Sequence, residues 1–147
     1  MLFYKIKYIF LSTFAILLII AIGLCVRGQN VIRLRGIDGE RVFYLQSASS
    51  QGLRKERLEV TDLFKVKGES VRFTFEGKSE ERLVSEILSA YNGEICFLEE
   101  VGGTRSYYCK VEEWGDGITL YGQEINLHVA VSKGVCVVGT PIIFDGF

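Results

Sequence analysis

The sequence predicts an α+β domain, an antiparallel sheet with one main helix packed on it, preceded by an N-terminal transmembrane or signal helix. Three observations predict it. Residues 79–92, "SEERLVSEILSAYN", carry one apolar stripe at helical spacing. The segments that follow alternate apolar and polar residues with a period of two, as half-buried strands do. Residues 9–26, "IFLSTFAILLIIAIGLCV", contain no charge.

As a helix, the 9–26 run is about 27 Å long at about 1.5 Å per residue, close to the roughly 30 Å hydrocarbon core of a bilayer. Lys5 and Lys7 precede it with no acid, which is also the layout of a secretory signal peptide. The run is longer than the about 7–15 apolar residues of a signal. The nearest small-x-small sites, Ala21-Ile22-Gly23 and Val26-Arg27-Gly28, are poor. Residues 1–29 are therefore read first as a signal anchor and second as a cleaved signal peptide. A lipobox ending at Cys25 lacks its small residue, because Leu24 stands there. No acid lies in the run, so it lacks the glutamate of a pilin-type segment. Arg27, Arg33 and Arg35 follow closely, so the positive-inside bias nearly cancels. The short, signal-like N-terminus argues for a domain, residues 30–147, outside the membrane.

From residue 30 on, the chain has 14 Lys+Arg against 18 Asp+Glu with the signs interleaved. Nucleic-acid binding draws on phosphate neutralisation by a basic face, so this balance argues against it. A chain of this length buries about two-thirds of its unfolded surface and needs no metal or dense disulfide set to fold.

Within the domain, "VIRLRGIDGERVFYL" (31–45) reads as two short strands about an Asp38-Gly39 turn. Residues 47–52, "SASSQG", are a loop, and 53–64 contain at most a helical turn. In "VRFTFEG", Val71, Phe73 and Phe75 face one way and Arg72, Thr74 and Glu76 the other. Ser79 caps the main helix, Glu80 and Glu81 suit its positive end, and Leu83, Val84, Ile87, Leu88 and Tyr91 form its stripe before Asn92-Gly93 ends it. Strands are expected at 95–100, 105–111, 118–121, 125–131 and 135–144. Ile125, Leu127, Val129 and Val131 share one face; Asn126, His128 and Ala130 share the other. Pro141 cannot donate a ladder hydrogen bond, so the last stretch is an edge strand or breaks near Gly139.

"EICFLEEVGGTRSYYCK" (94–110) reads as a hairpin turning at Gly102-Gly103. That turn sets Glu100 opposite Arg105, Leu98 opposite Tyr107 and Cys96 opposite Cys109. A directly opposed, non-hydrogen-bonded pair has Cα atoms about 4.5 Å apart, within disulfide range. Cys96 and Cys109 are thus a disulfide candidate, which would place the domain in an oxidising compartment. The alternative is two buried thiols acting as small hydrophobes. Cys136 is expected in the core.

Chemistry-bearing motifs are sparse. His128, the single histidine, has no cysteine or acid at ligand spacing, so no zinc site or other cofactor is implied. No CxxC, Gly-rich phosphate loop, nucleophile elbow or HExxH occurs. Glu99-Glu100 and Glu112-Glu113 are sequence neighbours, which point to opposite faces of a strand. Trp114, beside Gly115-Asp116-Gly117, is either an exposed anchor for a partner or folded back over the sheet edge.

The run "INLHVAVSKGVCVVGTPII" (125–143) resembles the end of the YwmB-like proteins of Bacillus- and Clostridium-type bacteria, in which an "NLQVAL"-type strand leads into a closing "GTPII" motif. The resemblance implies a secreted or membrane-tethered α+β domain whose fold is likened to TATA-box-binding proteins, with no established activity. The expectation is a non-enzymatic extracytoplasmic binding domain held to the membrane through residues 9–26, with a protein or envelope partner at an exposed patch near Trp114 or Pro141. Its rivals are a cell-envelope enzyme using acids such as Glu99, Glu112 or Asp116, and a cytoplasmic membrane-attached regulator with free thiols.

Overall fold

The structure, a computed structural model, describes residues 2–46, 52–115 and 117–144, with side chains from Ile6 onward. The expected loop at 47–52 falls almost wholly outside the described residues, as does Asp116. Helix α1, Leu2–Val31, comes first. Strands β1 (Glu40–Leu45) and β2 (Leu53–Lys55), a 3-10 turn (Val60–Phe64) and β3 (Val66–Thr74) follow. Helix α2 (Glu80–Tyr91) leads into β4 (Gly93–Val101) and β5 (Thr104–Val111), and a 3-10 turn (Glu112–Trp114) follows them. The small hairpin β6 (Ile118–Leu120) and β7 (Gln123–Ile125) precedes β8 (Leu127–Ser132) and β9 (Val135–Thr140).

Seven strands form one antiparallel sheet in the order β2-β1-β3-β9-β8-β5-β4. Helix α2 covers one face, as its stripe requires. Leu83, Val84 and Ile87 are buried against Val71, Tyr107, Val129, Val131 and Val138. Burial of this kind is worth about 2 kcal/mol per side chain. The expected caps are present: Ser79 Oγ accepts from the Arg82 N–H, and Asn92 adopts a left-handed conformation with φ 52°. The expected alternation in β8 also holds. Leu127, Val129 and Val131 lie in the core, while His128 and Ala130 are buried on the other face.

Several expected elements differ. Leu53–Lys55 is a strand ahead of the helical turn, and the strand expected at 125–131 is divided at Asn126 between β7 and β8. Residues 32–39 form no strand. The N–H groups of Arg33 and Leu34 that would have joined a ladder instead meet the Glu69 carboxylate, at 2.5 and 2.7 Å. Gly39 makes a close approach rather than a hairpin turn, since a Cβ there would collide with the Arg72 carbonyl. Of the two alternatives for the last stretch, the break near Gly139 is found, since the strand ends at Thr140, and the edge position is not: β9 lies between β3 and β8. Pro141 stops the ladder after the Thr140–Glu69 pair because it has no N–H to continue it.

Candidate functional site

The Ile6–Val31 part of helix α1 is long and apolar enough to cross a membrane and is equally of the kind a signal sequence would show. It does not end where the apolar run ends. Its last turn is part of the domain: Val31 is buried, Leu34 beyond it is fully buried, and Arg27 Nε donates to the Leu63 carbonyl at 3.1 Å. The junction is organised by Glu69. Its carboxylate is fully buried, accepts both N–H groups named above, and pairs with Arg41 Nη1 at 2.5 Å. Arg41 also donates through Nη2 to the Leu34 carbonyl at 2.8 Å. One signal for Glu69 was available in the sequence. It shares strand parity with Val71 and Phe73, so it is a carboxylate on a core face.

The hairpin β4–β5 keeps the expected register from its turn as far as Phe97 opposite Tyr108. A β-bulge then intervenes, and Ile95 rather than Cys96 stands opposite Cys109. Cys109 is buried in the core under α2. The Cys96 thiol instead donates to the Glu124 carbonyl at 3.9 Å, on the face where Lys110 pairs with Glu124. Adjacent residues of a strand point to opposite faces, so Lys110 and Cys109 do, and the two thiols are separated by the sheet. The candidate disulfide is therefore absent and all four cysteines are free. The physical cause is the extra residue, which slips the pairing by one. Burial pushes the Cys109 and Cys136 thiols up to about 12.

The acids do not converge. Glu99 pairs across to Ser106, whereas Glu112 follows Val111 at the other end of β5. Six strand residues separate those positions, about 20 Å at about 3.3 Å per residue. Asp116 lies outside the described residues. Among the described residues no group of three His, Cys, Asp or Glu side chains is placed to hold a metal. His128 stacks on Tyr108 at 4.3 Å between ring centroids, and Tyr108 stacks on Phe97 at 4.5 Å. Its Nδ1 accepts from the Ile143 N–H at 3.3 Å, and burial pushes its pKa down to about 4, so it is a neutral structural group at pH 7.

Trp114 is folded back rather than presented. It meets Tyr91 edge-on at 5.2 Å, with the Arg33 guanidinium 5.8 Å from its ring centroid, and packs against the core. Pro141 lines a cavity at the α1 end of the sheet.

An accessible surface of mixed apolar and polar character lies elsewhere, between α2 and the edge strand β4. A groove of about 590 Å³ runs there, walled by Val84, Ser85 and Leu88 on one side, Gly93 and Ile95 on the other, and Tyr107 below. Gly93 lets the strand begin this close to the helix, since a Cβ would stand 3.0 Å from Leu88 Cδ2. Ile95 and Leu98 are each 49% exposed although they face the helix side. Glu81 and Glu94 line the groove as well. The Glu81 carboxyl is held below its usual range by a hydrogen bond from its own N–H and by Arg105, 3.0 Å away. No strand pairs with the outer edge of β4 among the described residues. Sequence reasoning missed the groove because strand order, which makes β4 an edge, depends on pairings remote in the chain.

Comparison with protein-family models, with curated proteins and with solved structures finds no match to this chain.

Proposed function

We propose that the protein is a membrane-anchored extracytoplasmic domain of binding type, taking an extended segment of a partner protein along β4 and α2. The observation that carries this reading is the groove beside an unpaired edge strand. An added strand satisfies the free backbone groups of β4, and its alternate side chains enter the groove over Ile95. Glu81 and Glu100 share Arg105, so the site keeps a negative balance with Glu94, which favours a segment with basic residues between its apolar ones. The anchor, rather than a cleaved signal, is supported by the integration of Arg27 and Val31 into the domain. The YwmB-like resemblance of residues 125–143 implies the same class of protein.

The test is selection of random phage-displayed peptides on the full chain held in lipid nanodiscs. Enriched peptides are expected to alternate apolar and basic residues and to protect β4 amides from hydrogen exchange. Ser85→Arg and Ser89→Arg place long charged side chains in the groove from exposed positions and are expected to weaken binding at least tenfold, about 1.4 kcal/mol. Binding that survives both substitutions overturns the assignment.

A second reading, the cytoplasmic membrane-attached regulator, has the free cysteines in its favour, since they withdraw the redox argument for an outside location. Val101 is 75% exposed at the hairpin tip. Labelling of Val101→Cys on intact cells by a membrane-impermeant maleimide supports the extracytoplasmic reading, and labelling only after lysis selects the regulator.

A further inference from the structure

The 3-10 turn Val60–Phe64 leaves two large apolar side chains in solvent, Val60 at 62% and Phe64 at 67% exposed. Its position along α1 gives them a meaning. Arg27 is the first charge after the apolar run, so on the anchored reading it sits where the helix leaves the hydrocarbon core. Arg27 Nε holds the Leu63 carbonyl at 3.1 Å, which fixes the turn at that level. Phe64 follows directly, and exposed Lys65 and Lys67 come next. The turn's own acid, Asp62, is buried, accepting from Lys55 Nζ at 2.7 Å and from the Glu59 N–H at 3.0 Å. These bonds, the Lys55 one foremost, hold its carboxyl below the usual range. Beside the turn, a cavity of about 260 Å³ is lined by Arg27, Arg33 and Lys67 with Asn30, Gly68 and Thr140. No acid is among its described lining residues.

We propose that this end of the domain is a second membrane contact, seated on an anionic bilayer. Val60 and Phe64 enter the headgroup layer, and Arg27, Lys65 and Lys67 engage lipid phosphates, with the cavity receiving one headgroup. Aromatic and basic side chains together at a helix exit are the combination that interfaces favour. The bilayer is the occupant because the surface is continuous with α1 and its basic residues, Arg27, Lys65 and Lys67, outnumber the exposed acid that caps the turn, Glu59. The inference rests on α1 spanning the membrane.

The experiment is photocrosslinking of the full chain in phosphatidylglycerol-containing vesicles, with benzoylphenylalanine at Phe14, Phe64 or Val101. Phe14 reports the span, Phe64 the proposed contact, and Val101 the hairpin tip at the other end of the sheet. Lipid adducts at 14 and 64 but not at 101 are expected. An adduct at 14 alone overturns this contact and leaves the anchor standing. Adducts at neither 14 nor 64 overturn the anchored reading itself, and an adduct at 101 overturns an oriented seat. Lys65→Gln with Lys67→Gln is expected to lower the seated-to-unseated ratio about 30-fold, two charges at about 1 kcal/mol each. Equal yields at 64 in purely zwitterionic vesicles overturn the assignment to anionic lipid.

Discussion

Replacing Glu69 tests how the domain is joined to its helix. The carboxylate is fully buried and serves three donors: the Arg33 N–H, the Leu34 N–H and Arg41 Nη1. Glu69→Ala removes both acceptor oxygens, and with them all three bonds, at once. Leu34 is fully buried, so its N–H has no access to water, and such a group costs about 1–3 kcal/mol. Arg41 loses its charge partner while its side chain stays 24% exposed, so part of that loss is recovered by hydration. Breaking a buried pair from one side costs about 3–5 kcal/mol in all. For a domain of this size, at about 4 °C per kcal/mol, the midpoint falls by about 12–20 °C. Glu69→Gln keeps an oxygen for the two N–H groups and is expected to lose about half as much. The assay is thermal unfolding of the full chain in detergent, followed by near-ultraviolet circular dichroism. An Arg41→Met and Glu69→Ala cycle should show coupling above about 1 kcal/mol. A loss below about 1 kcal/mol for Glu69→Ala, or strict additivity with Arg41→Met, refutes the idea that this carboxylate holds the junction.

Burial depresses the His128 pKa from 6.5 to about 4, so the unfolded chain binds the extra proton between those values. Stability is full above about pH 6.5 and falls by about 3 kcal/mol as the pH drops to about 4. Denaturant unfolding between pH 5 and 7 should show that slope, and His128→Phe, which keeps the stack on Tyr108, should flatten it. Cys109 and Cys136 are buried with thiols pushed up to about 12, whereas Cys96 is partly accessible. Brief alkylation of the folded chain, read by peptide mass, should therefore mark Cys96 and spare the other two. A Cys96–Cys109 cross-link with neither residue labelled contradicts the bulged register.

The parts legible in the sequence are those governed by local chemistry. Ser79, the 83–91 stripe and Asn92 specify α2 within one stretch, and the structure follows them. Gly102 and Gly103 both take positive φ, 60° and 81°, so the turn and the pairs nearest to it were readable. The bulge was not. It arises where the Cys96 thiol meets the Glu124 carbonyl, a contact across 28 residues. Asn126 is a similar case. Read only as a residue of the second strand face with His128 and Ala130, it is fully buried and bridges both backbone groups of Val111, at 2.7 and 2.8 Å, and the Gly115 carbonyl at 3.0 Å. Residues 32–39 misled because their alternation is real, yet their backbone partners are a carboxylate and not a strand.

The two edges of the sheet differ in a way that bears on what binds. At one edge β2 offers three residues, two of them basic, and little length for pairing. At the other, β4 is nine residues long and carries Glu94, Glu99 and Glu100 together with a bulge. Charges and bulges are the devices by which sheets avoid joining edge to edge. A second copy of β4 brings its own three acids against these, and like charges opposed across strands are destabilising. A basic strand meets no such penalty, and Ile95 and Leu98 still offer it apolar contact on the helix side. The same acids that keep the chain from pairing with itself thus select the sign of the segment that can pair with it. Glu94→Lys with Glu99→Lys should reverse this selection, weakening basic peptides and admitting acidic ones. Unchanged preference in the phage selection would show that β4 does not read charge.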